Sequence, residues 1–122
     1  MAQILIVDDS STVRNEVGDF LKNNGLNVVT AVDGRDGLDK LKGDPSIKLV
    51  VTDVNMPNMD GLTMAEKIRG ELGNSTVNII MLTTESSPIM KERGKAAGIK
   101  GWIVKPFSGA SVLETFKKLV GA

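Results

Sequence analysis

The stretch Leu49-Val50-Val51-Thr52-Asp53-Val54-Asn55-Met56-Pro57 decides how the rest of the chain is interpreted. Its apolar, β-branched start is typical of a buried strand, and the Asn, Pro, Asp and Gly residues that follow predict a loop. Asp53 would then lie at the carboxyl end of that strand, where open parallel sheets bind their ligands. Taken alone, Asp53 fits a reactive acid and a turn-capping acid equally well, so the other strand ends have to decide.

Four other apolar runs follow the same pattern, and a segment with helical spacing comes after every predicted strand. Besides the run before Asp53, the predicted strands cover residues 3–7, 27–31, 78–82 and 101–104. Continuous apolar runs are typical of strands in a parallel sheet that is covered on both faces. Five strands alternating with five helices through short loops therefore predict one α/β domain over residues 1–122.

Capping residues predict where several helices begin. Thr63-Met64-Ala65-Glu66 matches a capping box, which predicts that the third helix begins at Thr63 and ends near Leu72-Gly73. Ser87-Pro88 is typical of an N-cap followed by proline at the first helical position. Ser108 is predicted to cap the last helix with its side chain.

The composition excludes several kinds of chemistry. The chain has no Cys and no His, so disulfides, thiol chemistry and a histidine base are excluded, and any metal site has to use oxygen ligands. Oxygen ligands favour Mg²⁺, Ca²⁺ or Mn²⁺. No apolar run approaches the roughly 20 residues that span a membrane. Strand-like sequence begins at Gln3 and leaves no room for a signal peptide, so we expect a cytoplasmic protein.

Charge is unevenly distributed although the formal net charge is zero. Residues 1–85 contain 8 Lys/Arg and 13 Asp/Glu, whereas residues 86–122 contain 7 and 2. The basic last third predicts an acidic partner surface. Nucleic acid is a less favoured partner, because aromatic residues are scarce and no basic run occurs.

The ends of the predicted strands carry chemically active side chains. Asp8-Asp9 follows the first strand, Asp53 the third, Thr83 the fourth and Lys105 the fifth. Because these ends meet at one edge of a parallel sheet, three carboxylates, a hydroxyl and an ammonium are predicted to share one pocket. Clustered carboxylates repel one another, and Mg²⁺ would relieve that repulsion. Asp53 could then attack phosphorus, while Lys105 and Thr83 compensate the charge of the phosphoryl group.

Each of these residues also has a simpler interpretation. Asp8 and Asp9 could cap the first helix, where acids favour the helix dipole. Thr83 alone is typical of a turn, and Lys105 alone is typical of a solvated strand end. The joint occurrence of all of them at the ends of predicted strands favours a reactive site.

The set Asp8-Asp9, Asp53 with Asn55-Met56-Pro57, Thr83, and Lys105-Pro106-Phe107 resembles the receiver domain of two-component response regulators. The resemblance implies a flavodoxin-like (βα)5 three-layer sandwich with strand order 2-1-3-4-5. It implies that Asp53 is the phosphoacceptor and that Thr83 and Lys105 contact the phosphoryl group. It further implies a cis bond between Lys105 and Pro106. It also implies a Mg²⁺ site. Its ligands would be Asp9, Asp53 and the backbone carbonyl of Asn55, with Asp8 acting through a metal-bound water.

Among response regulators, the chain most resembles the single-domain chemotaxis regulators, since no output domain follows Ala122. This resemblance implies a monomeric switch, not a turnover enzyme, that receives its phosphoryl group from a sensor His kinase. A flagellar motor switch protein and a phosphatase are the further partners it implies. A phosphate sink or phosphorelay intermediate is the alternative.

The family's output face comprises the fourth helix, the fifth strand and the fifth helix. Trp102 occupies the position where chemotaxis regulators usually have Tyr, and we expect it to stay partly exposed as a binding anchor. An ordinary packed aromatic is the alternative. Asn55 and Glu85 resemble the pattern of a short-lived phosphoryl state. The predicted basic residues of the face are Lys91, Arg93, Lys95, Lys100, Lys117 and Lys118.

Three rival functions are less compatible with the sequence. A phosphohydrolase that uses an aspartyl-phosphate usually needs an acid two residues after the nucleophile, where this chain has Asn55. A flavin site would need a phosphate-binding loop after the first strand, where Asp8-Asp9 would repel a phosphate. A degenerate receiver that binds partners without phosphorylation would not need the complete set of acids, Thr83 and Lys105.

Overall fold

The computed structural model describes residues 3–121, and strands alternate with helices along this range. The strands are β1 (Ile4–Val7), β2 (Val28–Ala31), β3 (Leu49–Thr52), β4 (Asn78–Thr83) and β5 (Gly101–Val104). The helices are α1 (Ser11–Asn23), α2 (Gly34–Gly43), α3 (Gly61–Arg69), α4 (Pro88–Ala96) and α5 (Gly109–Val120).

All five strands are parallel and lie in the order β2-β1-β3-β4-β5, which confirms the predicted flavodoxin-like fold. Every residue of β1 and β3 is buried, as their continuous apolar runs predict. Because parallel strands point the same way, all five carboxyl ends lie along one edge of the sheet.

Alternate residues of the strands bury their side chains in two apolar clusters on opposite faces of the sheet. On one face, Leu5, Val50 and Ile79 pack with residues of α2 and α3. On the other face, Ile6 and Val51 pack with residues of α1 and α5. The sheet is therefore the middle of three layers, and its central strands β1 and β3 are buried along their whole length.

The predicted start of α3 at Thr63 is wrong, because Asp60 caps the helix instead. The Asp60 side chain accepts the backbone N–H of Thr63 at 2.8 Å, and α3 begins at Gly61 and ends at Arg69. Thr63 lies inside the first turn, where its hydroxyl donates to Asp60 at 2.9 Å. The Ser87 cap with Pro88 is confirmed. Ser108 precedes α5 as predicted but makes no capping bond with its side chain.

Two further observations concern the backbone and the helices. The Lys105–Pro106 bond is cis, which confirms that expectation. None of the helices within residues 3–121 combines the length and apolar character that a bilayer crossing requires.

Two glycine substitutions test how tightly the site is built into the fold. A methyl group at Gly61 would overlap the backbone carbonyl of Asp53, so Gly61→Ala should lower the free energy of unfolding by about 2–3 kcal/mol. Gly18, in the middle of α1, has open space up to side-chain atoms of Ile6 and Val28 at 3.9 Å. Gly18→Ala should therefore raise the free energy of unfolding by about 0.5–1 kcal/mol. Urea unfolding followed by circular dichroism measures both, and a Gly61→Ala protein as stable as wild type would contradict the packing.

Candidate functional site

Neighbouring strands place two carboxylates side by side at the carboxyl edge of the sheet. Val7, the last residue of β1, pairs in parallel register with Thr52, the last residue of β3. Asp8 and Asp53 come directly after them, and the backbone N–H of Asp53 donates to the carbonyl of Val7 at 3.0 Å. The register that buries the two strands therefore also brings the two acids together.

Asp9 completes a cluster of three carboxylates. One oxygen from each of Asp8, Asp9 and Asp53 lies within 4.8 Å of the other two. Asp8 is buried, Asp53 is half-buried and Asp9 is exposed, so solvent reaches the cluster from the Asp9 side. Backbone N–H groups orient the inner acids, since Ser10 donates to Asp8 at 2.9 Å and Val54 donates to Asp53 at 2.6 Å.

Lys105 bridges the two inner acids. Its Nζ donates to Asp8 Oδ2 at 3.0 Å and to Asp53 Oδ2 at 3.1 Å. Its side chain is 18% exposed, so the ammonium is partly shielded from water. Burial acts to lower the pKa of Lys105, but the hydrogen bonds and charges of Asp8 and Asp53 outweigh burial and raise it. The ammonium therefore stays charged beside Asp53.

Burial has the opposite effect on Asp8. Desolvation raises the pKa of this carboxyl group and outweighs the hydrogen bond from the Ser10 backbone and the nearby Lys105 ammonium, which lower it. The fold thus keeps an acid in a position where its negative charge is disfavoured. Such a position is common at functional sites, because a cation there gains from the charge that the protein alone stabilises poorly.

The donor set is compatible with a divalent cation. It contains only carboxylate oxygens, which are the ligands that Mg²⁺ prefers. Three carboxylates face one ammonium within the cluster, so negative charge remains uncompensated. The residues present fit the Mg²⁺ that the sequence predicts.

An aromatic group fixes the segment that carries Lys105. The backbone N–H of Lys105 donates to the carbonyl of Thr83 at 2.8 Å. Two residues later, the ring of Phe107 lies 5.6 Å from that of Phe20 and 6.5 Å from that of Phe116. These contacts join the β5–α5 connection to α1 and α5. The segment that carries Lys105 is therefore packed in place, which fixes the direction of its side chain.

Three other predicted site residues form hydrogen bonds with Glu85. Thr83 is fully buried at the end of β4, and its hydroxyl oxygen accepts the backbone N–H of Glu85 at 3.2 Å. Asn55 donates from Nδ2 to the Glu85 carboxylate at 3.1 Å. Trp102 donates from its indole N–H to the Glu85 carbonyl at 2.8 Å. Glu85 therefore connects the loop after Asp53 with β4 and β5.

Trp102 also lines a groove between α4 and β5. The groove has a volume of about 440 Å³, and the basic residues along it are Lys91, Lys95 and Lys100. Ile99 contributes an apolar wall. Glu92 also lines the groove, so three lysines against one acid leave it with an excess of positive charge beside an aromatic side chain.

Two basic residues of the predicted output face lie outside this groove. Lys118 lines a separate depression together with Lys48 and Asn78. Arg93 points from α4 to α3, where it forms an ion pair with Glu66 at 2.8 Å. Neither residue lines the groove beside Trp102, so membership of the predicted output face does not by itself place a basic residue in the groove.

Arg14 is a supporting residue that sequence reasoning missed. Its Nη1 donates to the backbone carbonyl of Asp8 at 2.6 Å and so ties α1 to the first acid of the cluster. A contact from a helix side chain to a backbone carbonyl leaves no motif in the sequence, because any long donor could make it.

Comparisons with known proteins agree with this geometry. The model of the response regulator receiver domain matches residues 4–117. The chemotaxis protein CheY1 of Helicobacter pylori is 34% identical over 120 residues, which are 98% of this chain and 97% of that protein.

Two solved structures extend the comparison. The chemotaxis protein CheY4 of Vibrio cholerae is 40% identical, with a TM-score of 0.88 over 98% of each chain. A complex of CheX, CheY, BeF3 and Mg²⁺ from Borrelia burgdorferi contains a chain that is 30% identical, with a TM-score of 0.87 over 96% of this chain and 87% of that chain. By its sequence and fold, this chain belongs to the response regulator receiver domain family and is closely related to the CheY chemotaxis regulators.

Proposed function

We propose that this receiver domain is a phosphorylation-driven switch in which Asp53 accepts a phosphoryl group from a sensor His kinase. The observation that carries the proposal is the Lys105 ammonium, 3.1 Å from a half-buried Asp53 carboxylate that stands among two further acids. A carboxylate in that position is fixed by its neighbours and open to solvent on one side. Such carboxylates serve as nucleophiles in aspartyl-phosphate chemistry.

In the proposed step, a carboxylate oxygen of Asp53 attacks the phosphorus of a phosphohistidine. The new Asp53 O–P bond forms as the P–N bond to the kinase imidazole breaks, and the electron pair of that bond stays on the imidazole nitrogen. Lys105 remains beside Asp53 and compensates the negative charge on the phosphoryl oxygens. The chain itself lacks His, so the donor histidine has to come from the kinase.

Mg²⁺, when bound, supplies positive charge that offsets the phosphoryl oxygens and the clustered acids. Asp9 and Asp53 would hold it with the backbone carbonyl of Asn55, and Asp8 would contribute through water. Asp8 and Lys105 also orient the Asp53 carboxylate, because the ammonium contacts both acids.

The signal would reach the output face through the contacts of Glu85. If the Thr83 hydroxyl turns towards the phosphoryl group, it leaves the backbone N–H of Glu85. The Glu85 carbonyl also accepts the Trp102 indole, so a movement of Glu85 changes the groove between α4 and β5. An indole donates but cannot accept a hydrogen bond, so Trp102 needs an acceptor such as the Glu85 carbonyl to satisfy its N–H group.

The groove favours an acidic peptide as the output partner. Three lysines and one acid, Glu92, line the groove together with Trp102 and Ile99. This excess of positive charge beside an aromatic side chain suits a short acidic segment with apolar residues. The chemotaxis relatives make a flagellar motor switch protein the proposed target. The complex of CheX with CheY from Borrelia burgdorferi supports a CheX-like protein as a second partner, and a phosphatase is the partner class that we propose for it.

A phosphate sink or phosphorelay intermediate is the second candidate function. Trp102 favours it, because the chemotaxis regulators usually have Tyr at this position and the indole already contacts Glu85. Binding of an acidic motor peptide only after phosphorylation would support the chemotaxis role, whereas fast phosphoryl transfer without peptide binding would support the sink.

Phosphoryl incorporation tests the central step. Wild-type protein with labelled acetyl phosphate should incorporate label only when Mg²⁺ is present, and Asp53→Asn should abolish incorporation because it removes the nucleophile. Asp39→Asn, at an exposed acid of α2, is the matched control and should incorporate label as wild type does. Label on Asp53→Asn at the wild-type level would exclude Asp53 as the phosphoacceptor.

Calorimetric titration with Mg²⁺ tests the metal site. Asp9→Asn should raise the dissociation constant for Mg²⁺ by about tenfold or more, since loss of second-shell contacts alone often has that effect. Asp19→Asn changes the same charge at an exposed position of α1 and should leave the dissociation constant unchanged. Equal dissociation constants in wild type and Asp9→Asn would remove Asp9 from the site.

A further inference from the structure

Helix α4 has little apolar anchoring to the rest of the protein. Gly94 is the one buried residue among its nine, whereas α3 buries five residues. The helix backbone approaches Ile99 and Leu62 closely at Gly94, where a methyl group would lie 2.7 Å from Ile99 Cδ1 and 3.5 Å from Leu62 Cδ2. Met90 is the other apolar contact of the helix, partly buried against the core. Because this apolar contact is small, polar contacts contribute a large share of what fixes the position of α4.

A fork of hydrogen bonds from Arg93 connects α4 to α3. Arg93 Nε donates to Glu66 Oε2 at 2.9 Å, and Nη2 donates to Glu66 Oε1 at 2.8 Å. The same Nη2 donates to Thr63 Oγ1 at 3.0 Å. Arg93, Glu66 and Thr63 together form what we call the Arg93 clamp. Two-point contact between a guanidinium and a carboxylate fixes direction as well as distance, so the clamp sets how α4 lies on α3.

The Arg93 clamp is linked to the loop that follows Asp53. The Thr63 hydroxyl in the clamp donates to Asp60, the residue that caps α3. The next residue, Gly61, donates its backbone N–H to the carbonyl of Val54 at 2.9 Å. Val54 is adjacent to Asp53, so a short series of contacts joins the proposed phosphoacceptor to the outer helix.

The clamp is suited to bias an equilibrium and not to stabilise the fold. The Arg93 and Glu66 side chains are 43% and 46% exposed, and exposed ion pairs contribute little to global stability. A two-state equilibrium nevertheless shifts with any contact that is stronger in one state than in the other.

We propose that Arg93 is a positioning residue whose clamp on Glu66 and Thr63 holds α4 in the arrangement of the unphosphorylated protein and so opposes the switch. The proposal rests on the proposed function, because it concerns the movement of the same output face. It assigns Arg93 to control of the groove and not to its lining.

A second arginine keeps α4 attached when the clamp is broken. Arg69, at the end of α3, donates to the carbonyls of Ala97 and Gly98 at 3.0 and 3.1 Å. It also donates to the carbonyl of Val77 at 2.6 Å. The segment that follows α4 therefore stays joined to α3 and to the residue before β4, and we expect variants of the clamp to fold.

Trp102 is the single tryptophan of the chain and reports on the groove. It lines the groove together with residues of α4, so its fluorescence should follow a movement of that helix. The experiment titrates the full chain with beryllofluoride, a mimic of the phosphoryl group, at saturating Mg²⁺. The midpoint is the beryllofluoride concentration at half of the fluorescence change. Arg93→Gln and Glu66→Gln should each lower this midpoint by about threefold, the size expected for loss of one exposed ion pair.

Lys67→Gln is the matched control for the charge change. Lys67 pairs with Glu71 at 2.9 Å on the exposed side of α3, at 40% and 62% exposure, and both residues belong to α3 or the turn that follows it. Its loss removes one positive charge and one exposed ion pair without touching α4, so the midpoint should stay at the wild-type value. The double variant Arg93→Gln/Glu66→Gln should shift the midpoint no further than either single variant, because both break the same contact.

Three outcomes separate this inference from the proposed function. A wild-type protein that does not respond to beryllofluoride would count against the proposed function itself. A wild-type response with an unchanged midpoint in Arg93→Gln, or an equal shift in Lys67→Gln, would overturn the clamp alone. If wild type and Arg93→Gln unfold at the same urea concentration while the variant has the lower beryllofluoride midpoint, Arg93 acts by positioning α4 and not by stabilising the fold.

Discussion

The contact of Lys105 with Asp8 and Asp53 is the interaction on which the site depends. Parallel register brings two acids to one edge of the sheet, and Asp9 adds a third within 4.8 Å. Like charges at that separation repel, and burial of Asp8 raises the cost because less water screens it. The ammonium at 3.0 and 3.1 Å offsets part of this repulsion, so the fold keeps an arrangement that still favours an added cation.

Sequence reasoning succeeded where one periodic pattern determines the structure. Continuous apolar runs predict strands buried on both faces, and a parallel sheet then places every strand end at the same edge. The positions of Asp8, Asp53 and Lys105 follow from that step alone, without knowledge of any side-chain contact. The cis bond before Pro106 had a different source, the family resemblance, since no pattern of charge or polarity reports it.

The sequence was less informative wherever several residues could make the same contact. Asp60 and Thr63 are both good caps, and the structure selects Asp60 because the turn after the Asp53 loop brings it to the helix end. Helical spacing separates Arg93 from Lys95, two positions apart on α4, but it does not tell which of the two sides lies against α3. Which surface an arginine joins depends on the location of a partner such as Glu66, and only the packed helices determine that.

The buried strands are also the rigid part of the protein, whereas the exposed contacts of the helices allow movement. The carboxylate cluster rests on β1 and β3, which are completely buried, so its geometry changes little without disruption of the core. Helix α4 has one fully buried residue, packs Met90 partly against the core, and is otherwise held by exposed polar contacts that are individually weak. Segments with few buried apolar contacts are the ones that rearrange at low free-energy cost. Among the five helices within residues 3–121, α4 buries the fewest residues, so the proposed switch at the rigid edge of the sheet would be read out most readily at that helix.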